Sequence, residues 1–416
     1  MTDANHHILV VGGGPAGSVT AFWLAKAGFQ VTVVERATSK FAYGQGIDIT
    51  GPAAEICRKM GLEDKIKSST TGESGFAILD DQGKEIAALG TAGHTGEGGG
   101  QQSFTLTQEI EIMRGDLTRI FADAARSLPG VTYRYGCTIS KLHQSEKSVT
   151  VTLSDSGKEE QYSAVIGADG LRSKTRGLVF ADSIQDTLKP VGHQYIAYFS
   201  MPGEDGDRPN ARVQHASGGR SILIRPADRQ GIRSSCYAGV TYASPKLEAV
   251  LGKPVELQKA AMTEMLDGFG GIGPRAIREM KEAEDFYFER TAQIKLPRWY
   301  RGRCVLVGDA AYAPSPLTGQ GTTLAILGAY ILAGEVAANR DHPDEAFAKY
   351  DATIRGYVES AQQIPLGGLA PRLANPSAIW GIGLLRWIFW LVSWTGVWRY
   401  ISIGQEKKYT LPAYDL

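Results

Sequence analysis

Residues 7–35 carry a pattern with few structural solutions. His7-Ile8-Leu9-Val10-Val11 is a short apolar run and Gly12-Gly13-Gly14-Pro15-Ala16-Gly17 a glycine-rich turn. Val19 to Lys26 then has helical spacing, closed by Gly28, and Val31-Thr32-Val33-Val34 is a second apolar run ending at Glu35. The pattern predicts a strand–turn–helix–strand unit of about 30 residues. Glycines at 12, 14 and 17 let backbone approach a pyrophosphate and let the helix pack closely on its strand. Glu35 stands where an acid accepts from ribose hydroxyls. Parallel strands joined by a helix require a sheet covered on both faces, so the fold class is α/β. The fingerprint alone fits NAD, NADP and FAD equally.

A second segment favours FAD. The run Val305-Leu306-Val307 ends in Gly308-Asp309, and Pro316-Leu317-Thr318-Gly319-Gln320-Gly321 then opens another helix. A strand that delivers one carboxylate, followed by unpaired N–H groups at a helix start, suits a ribityl chain and the edge of a flavin ring. The two segments lie far apart, so the chain must fold back on itself to make one site. A third apolar run, Ala164-Val165-Ile166-Gly167, leads into Ala168-Asp169-Gly170-Leu171-Arg172-Ser173-Lys174-Thr175-Arg176.

The rest of the chain narrows the alternatives. At 416 residues it calls for about two to three domains. Basic and acidic residues balance at 44 each with no basic block, which argues against a nucleic-acid partner. Cys57, Cys137, Cys236 and Cys304 are scattered and read as reduced thiols of a reducing compartment. The first apolar run is too short for a signal peptide, and a cytoplasmic location is expected. No metal-ligand cluster and no Ser-His-Asp order stand out, so the hard chemistry falls to a cofactor. Helices are expected over 53–67, 114–127, 260–266 and 275–280. Between about 190 and 242 short alternating segments recur (Tyr195 to Met201, Arg212 to His215, Ser221 to Ile224, Ser234 to Tyr242), the signature of an antiparallel sheet. A glycine-rich loop spans Gly90 to Gly100. There is one glycine fingerprint and no second.

The three segments, in this order, resemble the single-component FAD-dependent aromatic hydroxylases of the para-hydroxybenzoate hydroxylase type, most of all the tetracycline-inactivating branch. Gly44-Gln45-Gly46-Ile47-Asp48-Ile49-Thr50-Gly51 occupies the place of that branch's Gly-x-x-Asp-x-x-Gly stretch. The resemblance implies a Rossmann-like, glutathione reductase-type FAD domain with an inserted, mostly antiparallel substrate domain. The expected boundaries are 1–72, 105–180 and 297–365 for the FAD domain, 73–104 and 181–296 for the substrate domain, and 366–416 for a helical C-terminus.

It also implies roles. Gly12, Gly14, Gly17 and Glu35 would hold the adenosine half of FAD, with Arg36 at the nicotinamide cofactor or the flavin rim. Asp48 and Arg114 would reach the flavin, Asp169 would serve FAD and NADPH, and Asp309 would bind the ribityl hydroxyls. Pro316, Gly319, Gly321 and Thr322 would line the flavin's reactive edge. The family often has His where this chain has Tyr312, and a hydrophobic–Asn pair at Thr322-Thr323. Arg212, Gln214 and Tyr237 are candidates for the substrate pocket. The chemistry implied is a hydroxylation in which NADPH or NADH reduces FAD, O2 adds as a C4a-hydroperoxide, and one oxygen atom passes to a lipophilic or aromatic small molecule. No side chain is assigned as acid–base catalyst. Two other readings stay open: a reductase or halogenase on the same fold, or a non-catalytic relative that binds lipid. Ile379 to Tyr400 contains five of the seven tryptophans and reads as a helix packed on the domains or touching a membrane surface. The sequence leaves open whether the protein is a monomer or a dimer.

Overall fold

The computed structural model describes residues 6–38, 45–90, 110–180, 187–364, 369–400 and 409–416. Gly44 and the 91–100 part of the glycine-rich loop lie outside the described residues.

The first βαβ unit forms as its residues dictate. His7–Val11 pairs in parallel with Gln30–Glu35, and the helix Pro15–Lys26 crosses between them. Pro15 supplies the preset φ of a first helical turn. The described strands of this sheet run in the order Tyr300–Arg301, Cys304–Leu306, Ala164–Gly167, His7–Val11, Gln30–Glu35 and Val131–Tyr135. All neighbours are parallel except the outer hairpin. The three apolar runs of the sequence are therefore adjacent, and their carboxyl ends share one edge. An antiparallel meander (Ile139–Gln144, Val149–Leu153, Glu159–Tyr162) closes one face.

The helix Gly321–Ala338 fills the centre of this half. It is apolar on all sides and long enough to cross a membrane, yet it is mostly buried as a core helix packed with Val19, Trp23 and Tyr350 in one cluster. The segment Tyr409–Leu416 lies on it, with Tyr414 Oη–H donating to Glu335. The helix expected over 53–67 is two helices, Gly51–Lys59 and Glu63–Ser68. Gly61 between them has φ +72°, a left-handed stop that helical periodicity does not reveal.

The second sheet, in the order Tyr287–Ile294, Leu188–Pro202, Arg233–Thr241, Arg220–Pro226, Asn210–Ala216, Gly75–Leu79 and Glu85–Gly90, is antiparallel apart from the pair Asn210–Ala216 with Gly75–Leu79. Cross-strand register fixes its two faces. The row Ile224, Cys236, Phe199 and the row Ile222, Ala238, Ala197, Phe288 point to one face, where Leu247, Met262 and Met280 from three helices complete a core. The intervening row Leu223, Tyr237, Tyr198, Tyr287 points the other way, toward the first sheet's helices.

Candidate cofactor and substrate site

Glycines bring the three segments into contact. A Cβ on Gly12 would lie 2.4 Å from the Ala168 carbonyl oxygen, and one on Gly308 would lie 2.8 Å from Ala16 Cβ. Gly17 is closed to any side chain by the Gly12 carbonyl, where a Cβ would meet the oxygen at 1.9 Å. Backbone bonds tie the same edge together, Ala168 N–H to Val11 O at 2.7 Å and Val307 N–H to Gly167 O at 2.9 Å. Buried Arg176 adds a bridge: its guanidinium donates to Ala310 O and Leu171 O at 2.9 and 2.8 Å.

Two carboxylates stabilise the turns. Glu35 accepts from Gly13 N–H at 2.7 Å and Ala37 N–H at 2.9 Å. Asp169 accepts from the Ser173 hydroxyl at 2.5 Å and from both Thr175 N–H and Thr175 Oγ1–H at 2.9 Å. The turn closed by Asp169 is thus held by its own side chain. Each oxygen retains lone pairs for a further donor.

Asp309 and Arg114 face an internal cleft. Asp309 is exposed to solvent, yet burial raises its carboxyl pKa and the nearby Arg114 guanidinium pulls it back. A side chain that is accessible but densely surrounded by protein lines a cleft. Arg114 opens the helix Arg114–Arg126, where the dipole opposes a cation, a cost that an anion in the cleft would offset. Ser315 carries φ +81°, the non-glycine residue with positive φ among those described. It stands immediately before Pro316, so backbone strain is held at the loop that opens the core helix. At Gly14, Gly319 and Gly321 a Cβ would meet nothing within 4 Å, leaving the backbone there open. Thr322 sits half-buried at the core helix start, and Thr50 Oγ1 lies 3.5 Å from Thr323 Oγ1. Asp48, on the short strand Gly46–Asp48, is close enough to Glu111 to raise its pKa. Arg36 is exposed beyond Glu35.

The sheet facing the cleft corrects part of the sequence reading. Tyr237 is on the cleft face, where its hydroxyl accepts from Gly46 N–H at 2.6 Å. Arg212 and Gln214 are on the opposite face, in the rows of Ile224 and Ile222. Their donors are committed to carbonyls, Arg212 to Gly206 and Gly83, Gln214 to Asp81 and Gly270. Alternation along a strand predicted that 212 and 214 share a face, but not which face.

Two groups on the cleft side carried no signal in the sequence. Arg225 binds Glu73 through two bonds of 2.9 Å and lies 2.6 Å from Glu111. One cation against two buried carboxylates leaves an excess charge, and burial holds the Glu111 carboxyl well above its usual pKa. Glu289 is also buried, and desolvation lifts its pKa to about 7 against the pull of Tyr287, Arg114 and Arg172.

Tyr312 lies away from the cleft, buried against Trp299 and Tyr350, with Tyr350 Oη 2.9 Å from its own hydroxyl. Gly328 makes room for it. The departure from His at this position therefore concerns core packing. The helix Ile379–Thr395 docks on the second sheet: Arg386 pairs with Asp81, Ser393 donates to Ala88 O, and Phe389 meets Phe76. Its outer side leaves Trp380 and Trp394 77 and 73% exposed.

The glycine turn of Gly12 to Gly17, the carboxylate of Asp309 and the loop that follows strained Ser315 stand at the ends of adjacent elements, and the FAD binding domain family matches residues 5–361. The chain belongs to that family. Monooxygenase CTB7 of Cercospora beticola is 51% identical over the whole of this chain and 99% of its own length. A flavin-dependent monooxygenase of Legionella longbeachae is 33% identical over 86% of this chain and 87% of its own. Among solved structures, the tetracycline destructase Tet(51) has a TM-score of 0.76 at 28% identity, covering 96% of this chain and 100% of that one. Klebsiella pneumoniae HpxO, solved with FAD and uric acid, shares the fold at TM-score 0.68 and 17% identity, over 94% of this chain and 95% of that one. This family member is an FAD-dependent monooxygenase with NAD(P)H and O2 as co-substrates, and its fold is the mixed α/β FAD-binding type. The open backbone at Gly14, Gly319 and Gly321 fits the cofactor, which supplies the redox chemistry when bound.

Proposed function

We propose that the enzyme hydroxylates a lipophilic or aromatic small molecule held between the cofactor and the Tyr198–Tyr237–Tyr287 face of the second sheet. The observation that carries this reading is the pairing of that aromatic face with the Asp309–Arg114 end of the cleft. In this reading Glu35 and Gly12 to Gly17 hold the adenosine and pyrophosphate, and Asp309 accepts from the ribityl hydroxyls. Arg114, Asp48 and the Pro316–Thr322 loop flank the ring, Asp169 keeps its turn in shape beside it, and Arg36 is left for the nicotinamide cofactor. The domain boundaries follow as 1–72, 105–180 and 297–365 for FAD, with 73–104 and 181–296 for substrate. Aromatic side chains supply stacking area for flat rings, and a neighbour named for tetracycline suits a fused-ring substrate, in secondary-metabolite tailoring or antibiotic inactivation. A cytoplasmic location, with the outer tryptophans of Ile379–Thr395 touching a membrane surface, belongs to the same reading. The test is substrate-dependent NADPH oxidation with oxygen uptake across a panel of hydroxylated aromatics. Oxidation without O2 uptake would favour a reductase.

A further inference from the structure

We propose that Glu289 is the proton acceptor of the substrate cavity, taking the proton from a ring hydroxyl of an aromatic substrate lying along the Tyr198–Tyr237–Tyr287 wall. The inference rests on the monooxygenase reading of this cleft and adds the substrate's required chemistry to it, an ionisable hydroxyl on the ring.

Glu289 is opposite Ile196 on the neighbouring strand, which sets it on the cleft face, and it is 6% exposed. Tyr287 Oη–H donates to its Oε2 at 2.9 Å, and Tyr198 lies close enough to the same carboxyl for its charge to add to burial in raising the phenol's pKa. Tyr287 is itself 39% exposed although burial raises its pKa, so this end of the wall opens onto the cleft. The rings are joined, Tyr198 to Tyr237 at 5.0 Å and Tyr198 to Tyr287 at 6.2 Å between centroids.

The titratable and charged groups facing Glu289 come from the elements around it. They are Tyr287 on its own strand, Tyr198 on the next, Arg114 at a helix start, Arg172 in the turn after Asp169, and Asp309. Burial pushes both tyrosine hydroxyls up, so they remain donors. The arginines have no acceptor, and Asp309 belongs to the cofactor. Among these described groups Glu289 is the one able to take a proton, and its pKa of about 7 suits a base at neutral pH. In the step, the substrate O–H bond breaks and the proton joins a Glu289 carboxylate oxygen. The electron pair stays on the substrate oxygen and spreads into the ring, and Arg114 and Arg172 offset the charge. No electron is gained or lost. The electron-rich ring that results is the better acceptor for an electrophilic oxygen atom.

The probe is alizarin, a fused-ring dihydroxyquinone that changes colour on ionisation, added to FAD-loaded enzyme without NAD(P)H. Wild type should ionise the bound dye, seen as its colour shift, without releasing a proton to solvent. Glu289→Gln should bind the neutral dye at unchanged FAD content, and Glu289→Asp should recover part of the shift. An infrared carbonyl band of protonated Glu289 should appear when dye binds above pH 7 and be absent from the Gln variant. Neutral dye on wild type, equal ionisation by the Gln variant, no such band, or failure of both alizarin and naphthol to bind would each overturn the inference. Wild-type enzyme that retains no FAD would instead count against the monooxygenase reading, so the two failures are distinguishable.

Discussion

Tyr287 and Glu289, two residues apart on one strand, face the same cleft and share a hydrogen bond of 2.9 Å from the phenol to the carboxylate. That bond favours the ionised acid, yet burial outweighs it and leaves the Glu289 pKa at about 7. Below about pH 4.5 both folded and unfolded chains hold this proton. Between 4.5 and 7 only the fold does, so the group's contribution to stability falls as pH rises through that window. Replacing Glu289 with Gln should remove this slope. Above pH 7 the variant should be more stable than wild type by up to about 3 kcal/mol, read from urea unfolding at a series of pH values. Identical pH slopes would show that Glu289 is not held neutral.

Asp309 opens the short helix after the first sheet's Cys304–Leu306 strand, whereas Arg212 lies on the helix-covered face of the second sheet. Asp309→Ala should weaken FAD binding by about tenfold or more, the size of a lost charge-assisted hydrogen bond. Arg212→Ala, on the helix-covered face, should leave flavin content unchanged. The check is the ratio of flavin absorbance to protein in the two purified variants.

The buried cluster makes a different demand. Glu73 and Glu111 side chains are 0 and 4% exposed, with Arg225 between them. Arg225→Met should cost about 3–5 kcal/mol, because two acids are left buried without a cation. Glu111→Gln should cost less than Arg225→Met, since burial already favours the protonated form of that carboxyl and Gln keeps its shape. Equal losses in urea unfolding would contradict this division.

Tyr312→His restores the residue common in the family and should not help. The shorter ring gives up the Tyr350 contact and leaves space beside Gly328, a cost of about 1–3 kcal/mol. FAD content should not change, since Tyr312 is 1% exposed and points into the core. Thermal unfolding and flavin absorbance test both halves.

Local patterns were the legible part of the sequence. The strand-turn-helix of Gly12 to Gly17, Glu35 and the Gly308-Asp309 segment are local patterns, each with its own backbone reason, and they lie on one edge of one sheet. Tyr237 also fell on the cleft face. Arg212 and Gln214 did not, because which face a strand's odd residues take depends on pairing between strands distant in sequence. The same non-local register hid Glu289, whose partners Tyr198 and Arg114 are far from it along the chain. The Glu73–Arg225–Glu111 cluster was illegible for that reason too: no spacing in the sequence joins those three residues.

In the proposed reaction this cleft transfers one oxygen atom from O2 to a hydroxylated aromatic molecule. Turnover under ¹⁸O2 with NADPH and a substrate found by dye displacement measures it directly, by mass spectrometry of the product. One ¹⁸O atom per product molecule, matched to one NADPH consumed, is the predicted result. NADPH consumption with unlabelled product would contradict it.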